Sequence, residues 1–303
     1  MDQPVEDKVG KVDEIIVKQV DDDGLEETKV GLAAGEDAFG DSASSVVGFT
    51  IQNGLAYNSA GIHMGDYLTP STNVFLSNII FKNNSCFNDG DVLMVSYSSH
   101  LTVNNCKFYN NGSGNSETLY SDGNLDIDNS LFINNNARFI ITQHGLGSFT
   151  LKNSHINSNA SQNTITTSSD NTTIENTIII ADNNNGSDIR LDSGGDKTYR
   201  FVNSTLLCGI NANSDYINVE LYNCILPNFN VDIGFTSLKI YNSNLYSGGI
   251  SISNPSVQFT LTLDTNNIIY SDPLFVDTAN GDFSLSNFSQ CIGAGLDTSI
   301  VPT

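Results

Sequence analysis

Leu101-Thr102-Val103-Asn104-Asn105-Cys106-Lys107-Phe108 and Leu125-Asp126-Ile127-Asp128-Asn129-Ser130-Leu131-Phe132 are two copies of one pattern. In each, apolar and polar residues alternate up to an Asn, and a bulky apolar residue stands three positions after it. Alternation with period two marks a strand with one buried face. The Asn marks a bend, because Asn and Gly tolerate left-handed backbone geometry that other residues avoid. Working outward, the same pattern recurs at 44–51, 74–81, 149–156, 172–179, 199–206, 219–226 and 238–245. The bend position is Asn78, Asn105, Asn129, Asn153, Asn176, Asn203, Asn223 and Asn242, with Gly48 in the first copy. Two residues earlier every copy is apolar, from Val46, Leu76 and Val103 to Leu221 and Ile240. Three residues later every copy is apolar again, from Ile51, Phe81 and Phe108 to Leu226 and Leu245.

Successive bend positions lie 19 to 30 residues apart. Self-similarity at that period, with strands separated by polar turns, reads as a solenoid. Polar corners follow the second strand at Asn83-Asn84, Asn110-Asn111-Gly112 and Asn134-Asn135-Asn136. A third apolar stretch follows in most copies: Val92-Leu93-Met94, Phe139-Ile140-Ile141, Ile189-Arg190-Leu191, Val231-Asp232-Ile233 and Ile250-Ser251-Ile252. The fold expected is therefore all-β, a parallel β-helix of about nine turns with three strands per turn. Stacked roughly 4.8 Å apart, the bend asparagines should form a ladder that satisfies buried polar groups. Three regions result: an acidic segment at 1–45 that is a cap, a linker or a partly disordered arm, turns over 46–254, and a C-terminal capping segment at 255–303. The acidic segment should shield the first turn.

Composition limits the function. Among 303 residues, 12 are Lys or Arg and 34 are Asp or Glu, a net charge of −22. That disfavours nucleic-acid binding, which needs basic surface to neutralise phosphates, and docking on an anionic membrane. No apolar run approaches membrane-spanning length. The 40 Asn all lie between Asn53 and Asn287, which disfavours helices. Cys86, Cys106, Cys208, Cys224 and Cys291 form no CxxC pair and read as small buried residues, with one or two disulfides open. The first residues lack the regions of a signal peptide, so either the protein stays inside or a leader has been removed.

The pattern resembles the right-handed parallel β-helix superfamily, the fold of pectate lyases, other polysaccharide lyases, tailspikes and many bacterial surface proteins. The run Ser271-Asp272-Pro273-Leu274-Phe275, then Gly281-Asp282-Phe283-Ser284-Leu285, then Ser289-Gln290-Cys291-Ile292-Gly293-Ala294-Gly295 is similar to the closing segment of repeat-containing secreted or surface-attached bacterial and archaeal proteins. The resemblance implies an extracellular or cell-surface location. It does not imply an activity, because the fold hosts enzymes and inert scaffolds alike.

On the repeat register, the residues one and three before the bend Asn point outward. Asp126, Asp128, Lys152, Glu175 and Arg200 then share one face. The family's lyases use such a face: carboxylates hold Ca²⁺, and a Lys or Arg abstracts the proton beside a uronate carboxylate. Lys152 or Arg200 would be that base, and Asp126, Asp128 and Glu175 the Ca²⁺ ligands. The opposite reading is a self-neutralising surface, since Asp128–Lys152–Glu175 and Arg200–Glu220–Lys239 alternate in sign from turn to turn. Tyr222 and Tyr241 stack beside them as a platform for sugar rings. His144-Gly145 lacks the flanking residues of polygalacturonase-type hydrolases. The acidic run Asp21 to Glu27 fails the spacing of a calcium loop. Two readings of function stand. The first is a non-catalytic extracellular module for adhesion or carbohydrate binding, part of a larger secreted protein, with a glycan or cell-surface polymer as partner. The alternative is a Ca²⁺-assisted polysaccharide lyase or related carbohydrate-active enzyme.

Overall fold

The computed structural model describes residues 14–295 except for 22–23, 32, 37–41, 57–58, 65–72, 87–90, 96–99, 113–114, 146, 159, 182–187, 193–195, 213–215, 232–234 and 253–258. The chain is an all-β parallel solenoid whose strands stack into three sheets. The first, eleven-stranded among the described residues, carries the repeat pattern, in strands such as His100–Asn104, Asn124–Asp128 and Ser148–Lys152. The second, ten-stranded, holds the short strands after the bend, such as Lys107–Tyr109 and Leu131–Ile133. The third, seven-stranded, runs from Ser59–Met64 to Ile210–Ala212. Register is as the repeat demands: Val103 pairs with Ile127, Ile127 with Leu151, Ile174 with Phe201 and Leu221 with Ile240.

Those columns fill the interior. Phe81, Phe108 and Phe132, all three residues past the bend, are fully buried and stack face to face at 4.6 and 4.5 Å between centroids. Offset or parallel ring stacking at strand spacing adds to the burial of large apolar surface. The five cysteines are free; Cys86, Cys106, Cys208 and Cys224 are buried and Cys291 is half-buried. Burial raises the Cys106 thiol to about 11 and the Cys224 thiol to about 12, so both stay protonated and behave as small core residues.

Two expectations need correction. Nine copies of the repeat do join the first sheet, yet all three sheets coexist over only about six turns. In the late, short repeats no length remains for a separate third strand. The stretches at 229–231 and 250–252 instead continue the second sheet, with Phe229 beside Ile250 and Val231 beside Ile252. Asp232 and Ile233 lie outside the described residues.

Second, the bend asparagines do adopt left-handed geometry, with φ from 47° to 56°, and Gly48 has φ 81°. Their ladder, however, runs mostly along the surface. Asn129 donates to Asn105, Asn176 to Asn153, Asn203 to Asn176 and Asn223 to Asn203, at 2.8 to 3.2 Å. Asn153 still accepts from Asn176 but donates to Asp128, at 2.7 Å, rather than along the column. The buried polar groups are satisfied by the next residue along. Ser130, Ser154, Thr177, Ser204 and Ser243 point inward, and each hydroxyl accepts a backbone N–H from the turn before at 3.0 to 3.4 Å. The same hydroxyls donate to the carbonyl two residues back at 2.6 to 2.9 Å.

The second corner repeats the device with a different inward residue. Asn83, Asn110 and Asn134 are left-handed, with φ from 52° to 55°. The residues after them, Asn84, Asn111 and Asn135, are fully buried. Asn111 Oδ1 accepts from Asn84 N and Nδ2 at 3.0 and 3.1 Å, and Asn135 Oδ1 accepts from Asn111 N and Nδ2 at 3.1 and 2.9 Å. Their amide groups donate to the carbonyls of Ile51, Phe81 and Phe108.

The two ends are built in different ways. At the N-terminal side, Glu14–Asp21 and Gly24–Gly31 form an antiparallel hairpin, and Ala33–Glu36 pairs antiparallel with Ser42–Val47 along the edge of the first sheet. At the other side, Thr260–Leu263 and Ile268–Ile269 add a last strand to the first and second sheets. The chain then turns back as a strap along the outside. Asn244 donates to Ser271 O and Cys291 Sγ, both at 3.0 Å, and Asn242 donates to Ala294 O at 2.9 Å. The strap carries an antiparallel pair, Phe275–Asp277 with Asp282–Leu285. Phe283 meets His155 edge to face at 6.4 Å, several turns before the end.

Candidate functional site

The first sheet holds Asp126, Asp128, Lys152, Glu175, Arg200, Tyr222 and Tyr241, and it holds the charged ones already paired. Asp126 takes a 2.7 Å contact from His100 Nε2, its neighbour on the preceding strand. Asp128 accepts from Asn153. Lys152 pairs with Glu175 at 3.2 Å. Arg200 reaches Glu220 through Nη2 at 3.0 Å and Nε at 3.1 Å, and Lys239 reaches the other Glu220 oxygen at 2.8 Å. The expected ligands Asp126, Asp128 and Glu175 therefore turn to three different partners and form no common cage. Among the described residues, no group of three or more His, Cys, Asp or Glu gathers in a way that could hold a metal ion.

Glu220 is the electrostatic centre of this face. Burial alone raises its carboxyl pKa, but hydrogen bonds and positive charge from Lys239 and Arg200 outweigh that and hold it below the usual carboxylate range. In turn Glu220 raises the pKa of the Lys239 ammonium, by hydrogen bond and by charge. A lysine so held is a poor proton acceptor, and Arg200 is engaged by the same carboxylate through both Nε and Nη2.

The two tyrosines expected to form a platform lie side by side. Tyr222 and Tyr241 stack with centroids 5.0 Å apart and planes 7° from parallel. Tyr222, however, is only 6% exposed, and burial, with the Glu220 charge next, pushes its hydroxyl up to about 12. One face of its ring lies against Tyr241.

A cluster the repeat register did not bring together lies outside the third sheet. Tyr120 donates to Asp122 at 2.7 Å and tilts over His144, 5.6 Å between ring centroids. Two strands on, Arg190 pairs with Asp192 at 2.7 Å. Between them Thr142 and Thr166 sit side by side, both buried, each with a hydroxyl that has no partner. The signal was weak: Ile189-Arg190-Leu191 marked the strand, but the loops before it vary in length, so no fixed offset from the bend Asn locates these residues. Asp22 and Asp23 of the acidic run lie outside the described residues; Asp21 and Gly24 flank the hairpin turn there.

Comparison of the chain with models of protein families, with characterised proteins and with solved structures finds no match. The resemblance drawn from the repeat holds for the fold, a parallel β-solenoid with three sheets, and assigns no family.

Proposed function

We propose that this chain is a non-catalytic β-solenoid module displayed outside the cell, which binds carbohydrate or another surface polymer. The observation that carries the reading is the closed state of the first sheet's outer face. Lys152, Arg200 and Lys239 are each engaged by a carboxylate, and the carboxylates that would hold Ca²⁺ are dispersed. Opposite charges on adjacent strands neutralise one another without a substrate. Right-handed winding, the usual hand for parallel crossovers, and a place among pectate-lyase-like surface proteins belong to the same reading. The −22 charge supports it too, because repulsion keeps a long repetitive surface soluble and disfavours anionic polymers unless cations bridge them.

The test is a panel of pectate, alginate and neutral glycans, with and without Ca²⁺. The expected result is retention of the protein on a polymer without new reducing ends or ultraviolet-absorbing unsaturated ends. Release of product, abolished in Lys152→Ala or Arg200→Ala, would replace this reading with the polysaccharide lyase.

A further inference from the structure

Among the described residues, no large apolar side chain is exposed between Phe75 and Tyr216. The last turn departs from that rule. Leu261 and Leu263, on the final strand of the first sheet, are 38% and 44% exposed. They stand in register with Leu238 and Ile240, and before those with Val219 and Leu221, all fully buried. Thr262, which continues the outward column of Glu220 and Lys239, is less exposed than either leucine. Two interior columns therefore end at the surface, with nothing among the described residues stacked on them.

The backbone of that strand is open on the same side. Thr260–Leu263 is the last strand of its sheet, and no described strand pairs beyond it. Asp264 gives its N–H back to Ile240 O at 3.0 Å. Backbone groups alternate in direction along a strand, so those of Thr262 also face the strand before. The N–H and C=O of Leu261 and Leu263 face away. Natural edge strands are blunted by charge, proline or a bulge. Thr260-Leu261-Thr262-Leu263 carries no charge and no proline, and its pairing with the strand before it is regular.

A partner for this edge must bring an alternating apolar strand and tolerate a chain of net charge −22. The other end of the chain fits poorly. Residues 1–45 hold 13 acidic and 4 basic side chains, and the edge strand there, Ala33–Glu36, carries Gly35 and Glu36. By contrast the only charged residues in 236–271 are Lys239 and Asp264, which balance. A second copy of the same edge meets both demands. Set antiparallel about a two-fold axis, Leu261 stands opposite Leu263 of the second copy, and each such pair exchanges both N–H···O bonds through the groups that face away. Thr262 then meets Thr262 on the axis, and Asp264 meets Thr260 rather than another acid. Leucines of the two copies share the inner side and cover one another. We infer that the strand Thr260–Leu263 pairs with its counterpart in a second copy, joining two chains tail to tail. Such an isologous contact closes as a dimer and does not grow into a filament. It is independent of what the outer faces bind.

Sedimentation equilibrium of the full chain, from about 1 µM to about 1 mM, tests this. Monomer should pass to dimer within that range, with no larger species. Leu261→Lys places a charge on a side chain that is already partly exposed, and should weaken association by about tenfold or more. The register has its own test. Thr262→Cys sets two Cα atoms about 4.5 Å apart across the axis, within disulfide range, and should cross-link under oxidised glutathione. In Thr260→Cys the two thiols are offset along the strands by roughly 14 Å, and cross-linking should not exceed that of the unaltered chain. A monomer throughout the range would overturn the proposal, as would species beyond the dimer. So would a dimer that Leu261→Lys leaves intact or that Thr262→Cys does not trap. Should Leu261→Lys fail to fold, Thr262→Cys against Thr260→Cys decides alone.

Discussion

Two of the solenoid's corners, those before and after the second sheet, turn the chain with the same two-residue device and differ in what points inward. At the first corner, from Asn105 onward, a left-handed Asn is followed by Ser, Thr or Cys; at the second, at Asn83, Asn110 and Asn134, it is followed by a buried Asn. A hydroxyl accepts one N–H from the neighbouring turn and returns one bond to a nearby carbonyl. The buried Asn111 does more: its oxygen accepts two bonds from Asn84, and its own nitrogens donate to Asn135 and Phe81. One residue type thus has two jobs in adjacent positions. Asn110 is there for its backbone, Asn111 for its side chain.

Substitutions should separate these jobs. The largest loss is expected for Asn111→Leu, which keeps the volume but empties several buried donors and acceptors at once. It should cost about 3 kcal/mol or more, read as a lower urea midpoint; a loss below that of a surface substitution would break the comparison. Next comes Ser204→Val, which strands the Thr177 N–H that Ser204 accepts at 3.2 Å. A cost of about 2 kcal/mol is expected, whereas Cys224→Ser in the same column should stay below about 1.5 kcal/mol. Asn129→Ala should cost only about 1 kcal/mol, the penalty for left-handed geometry with a Cβ and no local hydrogen bond.

The smallest effect concerns charge. Because Glu220 is held below the usual carboxylate range in the folded state, the folded protein binds fewer protons there than the unfolded one. Its contribution is present above the unfolded value of about 4.3 and fades as pH falls through the folded value. Glu220→Gln should therefore flatten the acid limb of stability against pH while changing its shape little near neutrality. Parallel acid limbs for the two proteins would show that the Arg200–Glu220–Lys239 cluster contributes nothing.

The first corner was legible in the sequence because its signal is redundant: the αL requirement accepts only Asn or Gly, and apolar residues flank it at fixed offsets. The inward hydroxyl column was not, since Ser130, Thr177 and Cys224 differ in type though they share a place. Asn84, Asn111 and Asn135 were hidden among 40 asparagines. The charged face followed from register alone, and the Arg200–Glu220–Lys239 chain forms as the alternation implied. Asp128 departs from it, because the Asn153 amide claims it and Lys152 pairs with Glu175. The strap's contact with the solenoid had no sequence signal, for Cys291 meets Asn244 from 47 residues away.

One measurement bears most directly on the division of labour between corners: urea unfolding of Asn129→Gly beside Asn111→Gly. Glycine keeps left-handed geometry and removes the side chain, so Asn129→Gly should lose only a few tenths of a kcal/mol, within about 0.5. Asn111→Gly should lose about 3 kcal/mol or more. Equal losses at the two positions would contradict the account.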